Sequence, residues 1–243
     1  MRLINDLVFK NIDKVVVISN DMKEFLLKNR KNLRDNQIAV IPNWHKDEPV
    51  ANINRSQSNN LFKQVISDGK FVVSYFGNMG IAQDLKTLLD AIRYFTDDDK
   101  IVFLFAGHGK KLPFLKKVVN DEFLDNVFIY DYLHGDDYKD ALNISDLFIV
   151  SLEEGLTGLA VPSKTYSYMM AGKPIVAIMG MDSDIIKDLN ANNAGYGIEI
   201  GNVNGLIEAI ESCKRDSDKK LLMGKNARRL FEEKYNTQKC TLQ

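Results

Sequence analysis

From Phe71 onward, short runs of consecutive apolar residues alternate with amphipathic stretches, and this alternation restricts the fold more than any other feature. FVVSYF (Phe71 to Phe76), IVFLFA (Ile101 to Ala106), Val127 to Tyr132, DLFIVS (Asp146 to Ser151), Pro174 to Met179 and Tyr196 to Ile200 read as strands. Runs that are apolar at nearly every position belong to strands covered on both faces. Helical patterns lie between them: Gln83 to Phe95, a Lys-rich stretch to Val119, Asp136 to Asn143, Ser163 to a stop at Ala171-Gly172, Ser183 to Leu189, Val203 to Ser212 and Asp218 to Lys234. Strands alternating with helices of this length predict an α/β chain with a doubly wound parallel sheet. Ligands of such sheets sit beyond the C-terminal ends of the strands, where the strand order reverses. The segments that follow strands therefore matter most: Gly77 to Asp84, Gly107 to Lys111, Asp131 to His134, and Leu152 to Pro174.

The stretch before Phe71 is different. Leu3, Leu7, Val8 and Ile12 have helical spacing, VVVIS (Val15 to Ser19) reads as a strand, and Asn20-Asp21 is the expected cap of a helix lined by Met22, Phe25, Leu26 and Leu27. QIAVIP (Gln37 to Pro42) is a further strand, followed by Asn43-Trp44-His45. KDEPVANINRSQSNN, Lys46 to Asn60, is polar and aperiodic and reads as a linker. The expected organisation is a small unit over 1–45, a linker over 46–60 and the main domain over 61–243.

Lys plus Arg number 32 against 33 Asp plus Glu, so no nucleic-acid groove or polybasic membrane face is expected, and an anionic ligand must be held locally. Cys213 and Cys240 lack metal-ligand spacing and suggest a reducing compartment without structural zinc. No apolar run is long enough to span a bilayer, and Met1 to Asp13 is too polar for a signal peptide, so a cytoplasmic location is expected.

LEEGLTGLAVPSKTYSYMMAGKP, Leu152 to Pro174, joins a strand through a Gly-containing loop to a helix opening at Pro162-Ser163-Lys164. This arrangement aims backbone N–H groups and one lysine at a common point, as phosphate sites do. FGNMGIAQD is not the dinucleotide GxGxxG, and no GxxxxGK[ST] occurs. Gly107-His108-Gly109 reads as a tight strand-to-helix turn, and His45, His108 and His134 form no recognisable metal or triad spacing.

Three motifs in order, FGNMGIAQDLKTL (Phe76 to Leu88), FAGHGK (Phe105 to Lys110) and VPSKTYSYMMAGKPI (Val161 to Ile175), resemble the C-terminal half of GT-B glycosyltransferases of family 4. The likeness is strongest to bacterial capsule and O-antigen enzymes that use UDP-N-acetylhexosamines. NIDKVVVISNDMKEFL and IAVIPNW are similar to the last strand-helix-strand of that family's first domain. The resemblance implies a Rossmann-like donor domain over 61–243 and a remnant of the N-terminal domain over 1–45. It also implies about 150 preceding residues, the size of a Rossmann-like domain, supplied by the same protein or a partner subunit. That acceptor half, and through it peripheral association with the inner face of the membrane, would be the partner; the donor substrate would be a UDP-sugar, with no cofactor and no metal.

The resemblance assigns Gly77, Asn78 and Gly80 to a turn facing the donor diphosphate. Asn78 and Gln83 stand where many members have Arg and Lys, which leaves Lys164, with Pro162 and Ser163, as the remaining cationic element. Ser167 occupies the ribose-binding glutamate position, Glu154 or Glu153 would contact the donor sugar as the catalytic carboxylate, and His108, Asp131 and Tyr132 would lie near the nucleotide. The implied reaction is retaining sugar transfer, with this chain inactive alone. A non-catalytic subunit of a split transferase and a UDP-N-acetylglucosamine 2-epimerase-like enzyme are the alternatives.

Overall fold

The structure, a computed structural model, describes residue 9, residues 11–48 and residues 60–241. Leu3, Leu7 and Val8 of the first helical pattern, and most of the expected linker, lie outside the described residues. Ile12 is not helical.

Among the described residues, two parallel sheets form. The smaller pairs β1 (Val15–Val17) with β2 (Ile38–Val40) across helix α1 (Asn20–Asn29). The cap of α1 is not Asn20-Asp21 as expected. Ser19 Oγ accepts the Met22 N–H, while Asn20 and Asp21 reach Asp184 far along the chain. A capping hydroxyl of this kind contributes about 1 kcal/mol; Asp21 shares the Met22 N–H through Oδ1 at 2.8 Å while its Oδ2 accepts the Asp184 N–H at 3.4 Å.

The larger sheet contains β3 (Phe71–Asn78), β4 (Ile101–His108), β5 (Val127–Tyr130), β6 (Leu147–Ser151), β7 (Ile175–Ile178) and β8 (Gly195–Ile198), in the order β5-β4-β3-β6-β7-β8. Its crossovers are α2 (Lys86–Tyr94), α3 (Leu112–Asp121), α4 (Gly135–Ile144), α5 (Lys164–Met170) and α6 (Asp184–Ala191). After β8 come α7 (Val203–Arg215), α8 (Ser217–Leu230), a π-type turn Phe231–Tyr235 and α9 (Thr237–Thr241).

The uninterrupted apolar runs follow from the double cover. Along β3, Val72 and Phe76 join the core cluster that holds Ala141, Tyr168 and Ile185. Phe71, Val73 and Tyr75 join the other, with Leu88, Leu115 and Ile210. Alternate side chains point to opposite faces, so two buried faces require apolar residues at successive positions.

The helix-start expectations were less accurate. Instead of opening at Gln83, α2 begins at Lys86, because Asp84 Oδ1 accepts the N–H groups of Lys86 and Thr87 and so acts as the cap. The charged helix expected over Asp218 to Lys234 is α-helical from Ser217 to Leu230 and continues as a π-type turn to Tyr235.

Strand order reverses between β3 and β6, whose ladder covers only Val73↔Leu147 and Ser74↔Phe148. At its entrance the ladder is pinned by Asp146, which accepts the Val72 N–H at 2.9 Å, and by a 2.7 Å bond between Ser74 and Ser145. Beyond Ser74 the strands part. The Phe76 backbone, paired with β4 on one side, is met on the other by Tyr168 of α5, whose hydroxyl accepts the Phe76 N–H at 2.7 Å and donates to its C=O at 3.3 Å. One phenol thus satisfies the backbone groups that the splayed ladder leaves open, and a crevice remains above it.

Candidate functional site

A cleft of about 480 Å3 opens at the C-terminal ends of β3, β4 and β5, within the ~300–1,000 Å3 range of small-molecule sites. Gly77, Asn78, Gln83, His108, Tyr132, Pro162, Ser163, Lys164 and Ser167 all line it. Residues that the sequence places up to ninety positions apart are brought together because β3, β4 and the loop before α5 end at the same pole of a parallel sheet. Gly80, Asp131, Glu153 and Glu154 are not among the lining residues.

Lys164 is the cation of the cleft. Its ammonium stands 3.6 Å from the centroid of the Tyr75 ring and donates to the Asn78 carbonyl at 3.4 Å. Gly77 sits beside the lysine stem at φ +97°, a conformation that favours glycine; a Cβ built there would meet Lys164 Cε at an ordinary contact distance of 3.8 Å. Burial holds the Lys164 pKa down to about 7, with no carboxylate contributing to the shift. A ring face stabilises an ammonium by roughly 0.5–2 kcal/mol, less than full hydration does, so the group favours an anion from outside. With only seven residues, α5 adds little dipole of its own.

The loop after β3 is built on the loop after β4. Met79 N–H donates to the His108 carbonyl at 2.6 Å, and Lys111 N–H to the Met79 carbonyl at 2.8 Å. Gly107 and Gly109 have positive φ, and a Cβ on them would fall 2.0 Å from the Gly77 oxygen and 2.5 Å from the Met79 backbone. Close approach of two backbones, rather than a turn alone, therefore requires both glycines. The Gly80 N–H, expected to face a diphosphate, donates to the Gln83 side-chain oxygen at 2.8 Å. Gln83 occupies the place an anionic oxygen would take.

Glu153 differs most from expectation. Instead of facing a sugar, its carboxylate is bound by the Lys111 ammonium, which also donates to the Gln83 carbonyl at 2.6 Å. The Glu153 N–H donates to the Ala82 carbonyl at 2.9 Å. Lys111 and Glu153 thus clamp the 79–83 loop from behind. Glu154 is solvent-exposed in the following turn, and Asp131 is exposed beside Lys116 at 3.8 Å.

Ser167, at the ribose-glutamate position, shares a 2.9 Å hydrogen bond with the Tyr138 hydroxyl and donates to the Lys164 carbonyl at 2.9 Å. Tyr132 is half exposed, with its ring 5.5 Å from His108 and 4.6 Å from His134. The histidines are less scattered than their sequence positions imply, because His45 lines the same cleft as His108.

Trp44, His45, Leu133 and Tyr138 are lining residues that the sequence reading did not single out. The strand QIAVIP running directly into Trp44-His45 was the available signal. His45 is fixed by its backbone: its N–H donates to the Tyr235 carbonyl at 3.1 Å and its carbonyl accepts from Thr237 Oγ1 at 3.3 Å. Its Nδ1, 2.7 Å from the Lys46 carbonyl, must carry a proton, leaving Nε2 as the acceptor in the neutral ring.

Comparison with known proteins gives the family and the fold. The chain is 29% identical over 218 residues to the probable glycosyltransferase WbjE of Pseudomonas aeruginosa, covering 89% of this chain and 53% of WbjE. It is 23% identical over 163 residues to WcaI of Escherichia coli K12, named for colanic acid biosynthesis, covering 67% and 39%. The chain therefore spans about half the length, or less, of these relatives. In fold it is similar to Anabaena HepE, solved in complex with UDP-glucose, at a TM-score of 0.80 and 17% identity over 99% of this chain and 65% of that one. A family model described as glycosyl transferases group 1 matches residues 56–230. With its parallel sheet, switch-point cleft and this match over most of its length, the chain belongs to the group 1 glycosyl transferases.

Proposed function

We propose that this chain is the donor-nucleotide half of a retaining, metal-independent transferase that moves an N-acetylhexosamine from UDP to a lipid-linked or growing saccharide in bacterial surface polysaccharide synthesis. The observation that carries the reading is Lys164, an ammonium held in the switch-point cleft with no carboxylate contributing to its pKa shift. As the bond from the sugar to UDP loosens, charge collects on the leaving diphosphate. A lysine already placed and partly dehydrated, protonated as the diphosphate binds, stabilises that charge more in the transition state than in the ground state. The acceptor hydroxyl then attacks the oxocarbenium-like carbon from the face the diphosphate leaves, and its proton passes to the departing phosphate oxygen.

In this reading residues 61–243 are the donor domain, 46–60 the linker and 1–45 the end of an acceptor domain whose remainder comes from elsewhere in the protein or from a partner. Alone, the chain binds UDP and transfers nothing; the whole enzyme works in the cytoplasm, at the inner face of the membrane. HepE, which has a similar fold, binds UDP-glucose, which supports the choice of donor. Calorimetry with UDP tests the proposal: millimolar-or-better binding that Lys164→Ala weakens at least tenfold is expected. Absence of heat at millimolar UDP, or unchanged affinity in the variant, would sink it.

A further inference from the structure

Trp44 is the only tryptophan of the chain, it remains 42% exposed, and it lines the donor cleft. A large apolar ring is left half in water at a point where the backbone is unusually well fixed. Its own N–H donates to Asn43 Oδ1 at 3.0 Å, and the next residue is bonded to the Tyr235 carbonyl and the Thr237 hydroxyl. Two positions further on, Asp47 receives two bonds from Arg228, at 2.9 and 2.7 Å. The segment therefore does not carry Trp44 as a loose loop residue. It fixes the Trp44 backbone at the edge of the cleft, which removes part of the entropy cost of using its side chain as a contact.

The cleft divides chemically. His108 and Tyr132, at and just beyond the ends of β4 and β5, form its planar, aromatic part, with Leu133 next to them in sequence. Lys164, Ser163 and Asn78 supply its cationic and polar middle. Trp44 and His45 enter from a different quarter, from the segment bonded to Tyr235, whose ring packs 4.8 Å from Tyr166 of α5. A nucleoside diphosphate uses the first two parts. What it leaves is an indole beside a histidine whose Nε2 can accept a hydrogen bond, which matches a pyranose: an apolar C–H face with hydroxyls at its edge. Aromatic side chains with a polar neighbour suit such a ring because they bury it without leaving its hydroxyls unpaired.

Resting on the donor reading above, we propose that Trp44 is a specificity-determining residue that stacks on the pyranose ring of the donor, so that sugar-bearing UDP binds more tightly than UDP. Because no other tryptophan contributes, the emission of the wild-type chain reports this contact directly. UDP-N-acetylglucosamine should change Trp44 emission while UDP alone leaves it nearly unchanged. By calorimetry, Trp44→Ala should lower the affinity ratio of UDP-N-acetylglucosamine to UDP by about 3- to 10-fold, the range expected of one aromatic stack, with UDP affinity itself preserved. Trp44→Phe should keep most of the ratio. The inference is overturned if UDP and the UDP-sugar perturb the emission equally, if neither does although both bind, or if Trp44→Ala weakens both ligands alike. Binding of UDP with no Trp44-dependent gain from the sugar would leave the donor cleft standing; failure of UDP to bind would remove both.

Discussion

The sharpest consequence of the cleft concerns protons. Lys164 has its pKa lowered from 10.5 to about 7 by burial, so above neutrality the empty cleft holds a neutral amine. A diphosphate needs the ammonium, and binding must therefore recruit a proton. Each pH unit above about 7 costs the bound state about 1.4 kcal/mol, a factor of ten. At about pH 9 only about one lysine in a hundred is charged, and UDP affinity should be about 100-fold weaker than its plateau. The phosphate of UDP does not confuse this window, because phosphomonoester ionisation lies near pH 6. Calorimetry in two buffers of different ionisation enthalpy gives the proton count: about half a proton taken up per UDP at pH ~7, approaching one at pH ~8.5. Lys164→Met should bind weakly at every pH and show neither effect. Stability should run the other way. The unfolded chain holds this proton up to about 10.5 and the folded chain only to about 7, so the ligand-free protein gains stability as pH rises through that interval. An affinity that is flat from about pH 7 to pH 9, or no proton uptake at pH ~8.5, would refute the argument that Lys164 meets the diphosphate.

Three further outcomes can be checked. Gln83→Glu places a carboxylate on the Gly80 N–H in the cleft that Lys164 also lines, and should reduce UDP affinity at least tenfold by calorimetry with little change in melting temperature. Tyr168→Phe strips the Phe76 backbone of its partner at the strand splay and should cost about 1–3 kcal/mol in urea unfolding. Gly107→Ala drives a methyl into the Gly77 oxygen at positive φ and should destabilise by at least about 2 kcal/mol in the same assay.

The four central strands of the main sheet were legible because each is buried on both faces and must be apolar almost throughout, whereas the edge strands β5 and β8 are only partly buried. Phe148 and Ile149, for instance, belong to opposite core clusters. Helix starts were less so: Ser19 caps α1 although the adjacent Asn20 and Asp21 are equally good cap formers, and Asp84 accepts the first N–H groups of α2 one position inside the expected start at Gln83. Strand ends presented Asn78 and His108, and the opening of α5 presented Lys164. The fate of Glu153 could not be read, because its partner Lys111 lies 42 positions away and only the packing of two loops brings them together. Trp44 and Tyr138 were hidden for the same reason: each belongs to an element whose local pattern says core or linker and whose role depends on what folds back against it.

That folding back also orders events in time. The bond between Thr237 and the His45 carbonyl joins residues 192 positions apart, and the Arg228–Asp47 pair joins residues 181 apart. Contacts of such span carry the largest loop-closure cost and tend to form after the local β-α-β pairings have collapsed. The indole wall of the cleft is therefore expected to be completed late, on a sheet that already stands. Partly folded or C-terminally trimmed molecules would then present Lys164 and the glycine loops without Trp44 in place, able to take a nucleotide before they can recognise its sugar.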